Sequence, residues 1–323
     1  MSVTHVPCRM RRAFSLPDLF WLLFMILLLA AILLPSLARA RELAKRAVCA
    51  ANLRGMAQGM HIYANDNDDW FPHHYYEPTY DTGKRPPEHG VRWVGTMGSN
   101  EFLTVMERTS PTRSPTRNHP SRSLFLLYIG GNMDRRGFVC PSSADIVDDM
   151  RNCVDDTVRA AQPGVSRFDF LGYHCLSYGY QLPYGPSARP HRSLDPRVAI
   201  AADKGPYYEP DGPGLPRSGT IRDRRSGVDA PREWSDREAT AIVQIPTQHW
   251  REWNSRNHRG EGQNVAFVDS HVAFVKRPIA GVQHDNIYTL QSNFDRHACL
   301  IGMVPGADEP RGPLTNTDSF LVP

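Results

Sequence analysis

The strongest apolar feature of the chain lies near its start. From Leu19 to Leu34 sixteen residues pass without a charge. A helix counted from Leu16 covers about 28 Å over that stretch, close to the roughly 30 Å of a bilayer's hydrocarbon, so one membrane span is expected. Beyond it the pattern changes without stopping. Leu37, Ala40, Ala44, Ala47 and Ala51 recur at helical spacing, and Leu53, Met56, Met60 and Tyr63 continue an apolar stripe that drifts around the axis. This predicts an amphipathic extension of the same helix, docked on a globular domain and ending at the turn-forming run Asn65 to Asp69.

Past residue 70, short apolar runs alternate with turns. SRSLFLLYIGG predicts a short helix ended by Gly130 and Gly131, and RRGFVCPSS a strand running into a turn. CLSYGYQLPYG reads as a half-buried strand; the alternative, a sugar-binding strip through Tyr178, Tyr180 and Tyr184, is the weaker reading of alternate aromatics. RVAIAADKGP predicts a buried strand ending at Asp203. Val265 to Val268 and Val272 to Val275 form two apolar strands joined by Asp269-Ser270-His271, a tight hairpin connection. SPTRSPTR, Ser110 to Arg117, is a polar low-complexity loop.

Composition adds three constraints. With 41% hydrophobic and 22% charged residues in 323, the chain can bury a substantial core. The net charge of +3 comes from basic residues scattered among acids, which gives no stripe for nucleic acid. Glycine (24) and proline (27) together favour many short elements over a helical bundle. Of six cysteines, Cys8 precedes the apolar run, and Cys49, Cys140, Cys153, Cys175 and Cys299 follow it in a turn-rich region suited to an oxidising compartment. Their connectivity is open; Cys153 with Cys175 is one pair among several. Basic residues flank both ends of the run, so charge does not set its orientation. Ala38-Arg39-Ala40 also has the small-x-small form of a signal-peptidase site, with release before Arg41 as the rival to a retained span.

Candidate chemistry is sparse. Asp66, Asp68 and Asp69 are carboxylates of the kind calcium prefers, but no closing glutamate follows, so a solvated turn is the preferred reading. His258, Asp269 and His271 are competent ligands for a divalent metal, and a hairpin could gather them; hydrogen bonds that merely close the loop are the alternative. The chain has no HExxH, Gly-x-Ser-x-Gly elbow, phosphate loop or paired CxxC, so no catalytic role is assigned, and no cofactor is expected beyond a divalent cation at these positions.

RRAFSLPDLF raises one further question, because Asp18 stands at the mouth of the span, where ionisable side chains are costly. A capped helix start accounts for it locally: Ser15 as N-cap, Pro17 in the first turn, and Asp18 facing the positive helix end. The same stretch resembles the processing site of type IV prepilins and type II secretion pseudopilins, a basic leader, a small residue, then Phe-(Ser/Thr)-Leu-x-acid. That resemblance implies cleavage by a prepilin peptidase between Ala13 and Phe14, methylation of the new amine, and an assembly role in which Asp18 meets the Phe14 amine of a neighbouring subunit. Pro35 falls where pilin helices commonly carry a proline. Ala13 replaces the family's usual glycine and Asp18 its glutamate. The far end resembles the C-terminal domain of bacterial proteins with this segment, marked by His, roughly ten residues, then Asp-Gly-His; here Ser270 replaces the glycine.

The resulting expectation is an α+β, pilin-like protein with a long transmembrane-plus-stem helix packed on a mainly antiparallel sheet. Residues 1–13 would be leader, 14–35 membrane helix, 36–64 stem, 65–310 the extracytoplasmic domain and 311–323 a flexible tail. The resemblance implies a single-pass protein of a bacterial inner membrane, its C-terminal domain in the periplasm or at the cell surface. Its implied partners are the membrane, prepilin peptidase and other pilin-like subunits or copies of itself. An extracytoplasmic carbohydrate-binding protein or hydrolase, secreted or anchored, is the alternative.

Overall fold

The computed structural model describes residues 16–73, 120–148, 170, 173–183, 190–207, 234, 237–291, 299–302 and 312–322, and the backbone of 151–154 and 157–160. Ala13, Phe14 and Ser15, the SPTRSPTR loop, Tyr184 and the Cys8 and Cys153 side chains lie outside them. The chain divides into two units, residues 1–44 and 45–323.

Helix α1, Leu16–Asn65, enters both units and runs unbroken through Pro35. In the first unit every large apolar side chain from Leu16 to Leu34 is exposed. Such a surface is unfavourable in water and suited to lipid. It is the one helix among the described residues long and apolar enough to cross a membrane.

The second unit is built on a five-stranded antiparallel sheet. Strands β1 (Arg151–Val154) and β2 (Thr157–Ala160) form a separate antiparallel pair. The main sheet comprises β3 (Tyr178–Gln181), β4 (Ala199–Asp203), β5 (Gln263–Phe267), β6 (Val272–Val275) and β7 (Leu321–Val322), in the order β6-β5-β4-β3-β7. Both faces of the central strands are covered, which is why their sequences read as continuous apolar runs. Along β5 and just beyond it, Val265 and Phe267 point to one core, and Ala266 and Val268 to the other. In β4 that alternation breaks: Ile200 and Ala201 share a face, because the register with β5 shifts between Ala199 and Ala201.

One face of the sheet receives the stem. Cys49, Leu53, Met56, Ala57, Met60 and Ala64 are fully buried, at the i, i+3, i+4 spacing of one helical face, against Tyr178, Tyr180 and Ile200. Leu53, Met56 and Met60 were legible as this stripe, whereas Ala47 and Ala51 are exposed. The packed face starts at Cys49, nearly opposite the alanine row. Asn52 adds direction, its amide donating to the Val139 carbonyl and the Tyr178 hydroxyl, both at 3.2 Å. Helix α2, Ser121–Ile129, joins this core through Leu124, Phe125 and Leu127 and stops at Gly130 and Gly131, as its sequence predicts. RRGFVCPSS departs from expectation: Arg135–Phe138 form a 3-10 turn capped by the Asp134 carboxylate, not a strand. Tyr178 and Tyr180 are wholly buried, so they belong to the core and form no sugar-binding strip.

The other face is packed by Trp250, Ile287, Leu290, Leu300 and Phe320, with the short helix α3, Ala239–Gln244, at its margin. The end of the chain, expected to be a flexible tail over 311–323, is in its described residues 312–322 part of this layer instead. Leu321 and Val322 pair with Gln181 and Tyr180, and two buried carboxylates hold the approach. Asp285 accepts from the Ser319 backbone N–H at 2.7 Å and from the Gln291 amide at 3.3 Å; Asp318 accepts from the Leu314 N–H at 3.2 Å. Burial, then the neighbouring Asp318 charge, push Asp285 well above the usual carboxylate range, and burial raises Asp318 to about 7. Elsewhere in the same fold Asp145 is lowered. Its burial alone would raise it, but hydrogen bonding with His174 and the Lys204 ammonium at 3.0 Å prevail.

The expected hairpin is present. β5 and β6 pair from Gln263–Val275 to Ala266–Val272, and Ser270 holds a φ of 68°. At the opposite end of the ladder Gly262 has a φ of 151°, and a Cβ there would lie 2.3 Å from the Val275 carbonyl oxygen, so only glycine fits.

Two outcomes are expected in denaturation experiments. Ser270→Gly should stabilise by about 1 kcal/mol, since glycine removes the left-handed strain; a loss of stability in urea would show that the hydroxyl matters more. Asp285 and Asp318 bind protons more tightly folded than unfolded, so stability should fall as pH rises from about 4 towards 7, by at most roughly 1.4 kcal/mol per pH unit per group. Asp145 has the opposite sign, and its contribution should be lost as pH falls below about 4. Asp318→Asn should flatten the first limb alone.

Candidate functional site

The chain's most concentrated chemistry lies where the stem meets the sheet. Cys49, the first buried apolar residue of the stem, is disulfide-bonded to Cys140, with Cα atoms 5.3 Å apart. The bond closes a loop of 91 residues between helix and domain. Cys175 and Cys299 are buried and stand outside it.

Against the disulfide stands His258, wholly buried. Its Nε2 is 3.6 Å from Cys140 Sγ, 3.4 Å from Asp203 Oδ2 and 3.2 Å from the Asn264 amide nitrogen. The backbone reaches this position through a left-handed turn in which His258 (φ 56°), Arg259 (φ 61°) and Gly260 (φ 71°) follow one another. Consecutive non-glycine residues in that region are strained, and such strain gathers at sites where side-chain placement matters.

Asp203, at the end of β4, is equally buried and is fixed on both oxygens. Oδ2 accepts the Asn264 backbone N–H at 2.7 Å, and Oδ1 accepts the Asn257 amide at 3.1 Å. Three sequence-distant segments thus converge on one carboxylate and one imidazole. Tyr178 lies alongside, its phenol pushed upward by burial and then by the Asp203 charge, so it stays protonated. Phe274 packs edge-on to the His258 ring at 6.0 Å, and the Arg46 guanidinium lies 4.4 Å above Phe274 while pairing with Glu261. These groups close the outer side of the cluster.

No family model, curated protein or solved structure matches the chain. Assignment therefore rests on the residues themselves. Among the described residues, Cys49, Cys140, Asp203 and His258 are the one group of metal-ligating type whose donor atoms gather, all within 4.8 Å of one another.

The ligand set anticipated from sequence is divided. His258 is in the buried cluster, whereas Asp269 and His271 occupy the exposed hairpin tip, five residues beyond Asn264 and so roughly 16 Å along the strand. There His271 Nδ1 contacts Asp269 Oδ1 at 2.5 Å, and its ring stacks on Phe267 at 4.2 Å. Burial alone would raise Asp269, but hydrogen bonding to the His271 backbone and ring lowers it. The Asp269 carboxylate thus bridges the turn to the His271 backbone N–H and ring. Asp66 and Asp68 are exposed on the turn after the stem, with Asp69 turned towards Arg192 at 3.4 Å. Neither trio is a gathered ligand set. Sequence reasoning missed Cys49, Cys140, Asp203 and the two asparagines. An acid closing the buried run VAIAAD was the one local signal available.

A second feature lies beneath the tryptophan cluster. A cavity of about 700 Å³ is lined by Trp234, Trp253, His249, Arg251, Glu252 and Arg259 among others. Trp234 packs edge-to-face with Trp250 and Trp253, with centroids 4.7 and 4.8 Å away.

Cys140→Ser should lower unfolding stability by about 2 to 5 kcal/mol, because a loop of this length loses the restraint on its unfolded state. Urea denaturation of the two proteins measures this. Equal midpoints would mean that packing alone fixes the stem.

Proposed function

We propose that the chain is a pilin-like structural subunit or accessory of a type II secretion-like or type IV-like filament, anchored by α1 and processed before Phe14. The observation that supports this reading is a single helix, Leu16–Asn65, whose first part is exposed and apolar and whose last part is packed into a sheet domain. A signal peptide needs no such continuity. In this reading the first part of α1 is the assembly element, the sheet domain is the displayed surface, and Asp18 in the first turn answers the Phe14 amine of the next subunit.

Asp18 gives the test. As a cap alone, its replacement by Asn keeps an acceptor and costs about 0.3 to 1 kcal/mol of helix-end electrostatics. As the counter-charge of a buried amine, the same change leaves a cation uncompensated, at about 3 to 5 kcal/mol. Crosslinking of membranes should therefore give oligomer ladders for wild type and Asp18→Glu, and none for Asp18→Asn. Ladders of equal strength from the Asn variant would reduce Asp18 to a cap. Maturation is checked separately by N-terminal sequencing: Ala13→Gly should still yield a chain beginning at Phe14, and Ala13→Trp should block it. A mature start at Arg41 would place the chain among secreted proteins.

The cavity under the tryptophan cluster favours a second reading, an extracytoplasmic carbohydrate-binding protein. Its aromatic and guanidinium lining suits sugar stacking and hydrogen bonding. Saturable quenching of tryptophan fluorescence by an oligosaccharide, abolished by Trp253→Ala, would support that reading independently of assembly.

A further inference from the structure

We propose that the Cys49–Cys140 disulfide is the oxidised form of a metal site. With both thiols reduced, Cys49, Cys140, Asp203 and His258 would hold one divalent transition-metal ion, zinc by the chemistry of the donors. The inference is independent of whether the chain assembles into filaments.

The geometry carries it. Zinc with Zn–S of about 2.3 Å and Zn–N and Zn–O near 2.0 to 2.1 Å, in tetrahedral array, sets its S and N ligands about 3.6 Å apart and its N and O ligands about 3.3 Å apart. Cys140 Sγ and His258 Nε2 are 3.6 Å apart, and His258 Nε2 and Asp203 Oδ2 are 3.4 Å apart. Two of the six edges of the tetrahedron are thus already in place, and all four donor atoms lie within 4.8 Å of one another. The sulfur–sulfur edge requires separation to about 3.8 Å, which side-chain rotation can supply over a Cα separation of 5.3 Å. Asn264 then yields its side-chain contact with Nε2 and keeps its backbone N–H on Asp203.

Two thiolates, an imidazole and a carboxylate form a borderline-soft donor set suited to zinc and unsuited to calcium or magnesium. Four protein ligands leave no open position, so the ion would be structural. The surroundings are those of a supported site: Asn257 orients the carboxylate, the left-handed turn fixes the imidazole, and Phe274 beneath Arg46 excludes water. The two forms exchange by thiol–disulfide chemistry. A disulfide-class oxidant accepts two electrons and leaves as two thiolates; Cys49 and Cys140 thiolates lose those electrons, form the S–S bond and release the M²⁺ ion. Either state ties the stem to the domain, one by a covalent bond and the other by coordination.

The experiment uses the full chain in detergent and Co²⁺ as the probe. A phosphine reductant converts the disulfide, with one water, into two thiols and a phosphine oxide; Co²⁺ is added after its removal, and near-ultraviolet circular dichroism follows the fold. The expected result is one Co²⁺ per reduced chain with a thiolate-to-cobalt charge-transfer band, no such band from the oxidised chain, and release of the ion when a small disulfide is added. Reduced Cys49→Ser and Cys140→Ser should lose the band, Asp203→Asn should weaken binding by more than about a hundredfold, and Cys175→Ser and Cys299→Ser should bind as wild type. The proposal is overturned if the folded reduced chain gives no band, if the band survives in both Cys49→Ser and Cys140→Ser, or if the oxidised chain binds equally. It is likewise overturned if reduction abolishes the near-ultraviolet signal and Co²⁺ does not restore it.

Discussion

The domain depends on covering both faces of a sheet whose central strands are apolar throughout. Ala199 to Ala202 and Val265 to Val268 have no polar side chain for water, so neither face tolerates exposure. One face is closed by the end of the chain and the tryptophan layer; the other is closed by the stem of α1. The stem is therefore a structural layer as much as a tether. Leu53, Met56 and Met60 bring long, fully buried side chains to the tyrosines of β3, and loss of that contact would expose Tyr178, Tyr180 and Ile200 together.

That dependence explains which parts of the fold were legible. Strong local periodicity sufficed for α1, α2 and the β5–β6 hairpin, and the continuous run VAIAAD sufficed for β4. Where one residue's position is fixed by a remote partner, local pattern failed. Ala47 and Ala51 keep helical spacing with Leu37 and Ala40, yet the sheet receives the face led by Cys49. β7 is only Leu321–Val322, and the polar segment before it reads as solvent-exposed until Asp285 and Asp318 are seen to cap its backbone. The register shift in β4 has no signature in a string of small apolar residues.

The candidate site was legible in one residue of four. His258 stands out through the His, roughly ten residues, Asp-x-His pattern, but the residues that pattern groups with it, Asp269 and His271, lie on the hairpin tip beyond the end of β5. What replaces them comes from the stem, from Cys140 just after the Arg135–Phe138 turn and from the end of β4. No spacing rule links those segments; only the docking of the stem brings them together.

Opposite fates of similar carboxylates follow from the same packing. Asp145 has Lys204 and the Ser177 hydroxyl at hydrogen-bond distance and remains charged, whereas Asp285 and Asp318 face each other and favour the proton. Asp203 is different again, held by asparagine amides and a backbone N–H with His258 beside it. A buried acid supported by neutral donors next to an imidazole tolerates either a disulfide or a cation as its third neighbour, because those donors fix its position without adding charge. The position of Cys49 turns this into a statement about the whole stem. It is the first buried apolar residue of that helix, so whatever joins its sulfur to Cys140 acts where the docked apolar face begins.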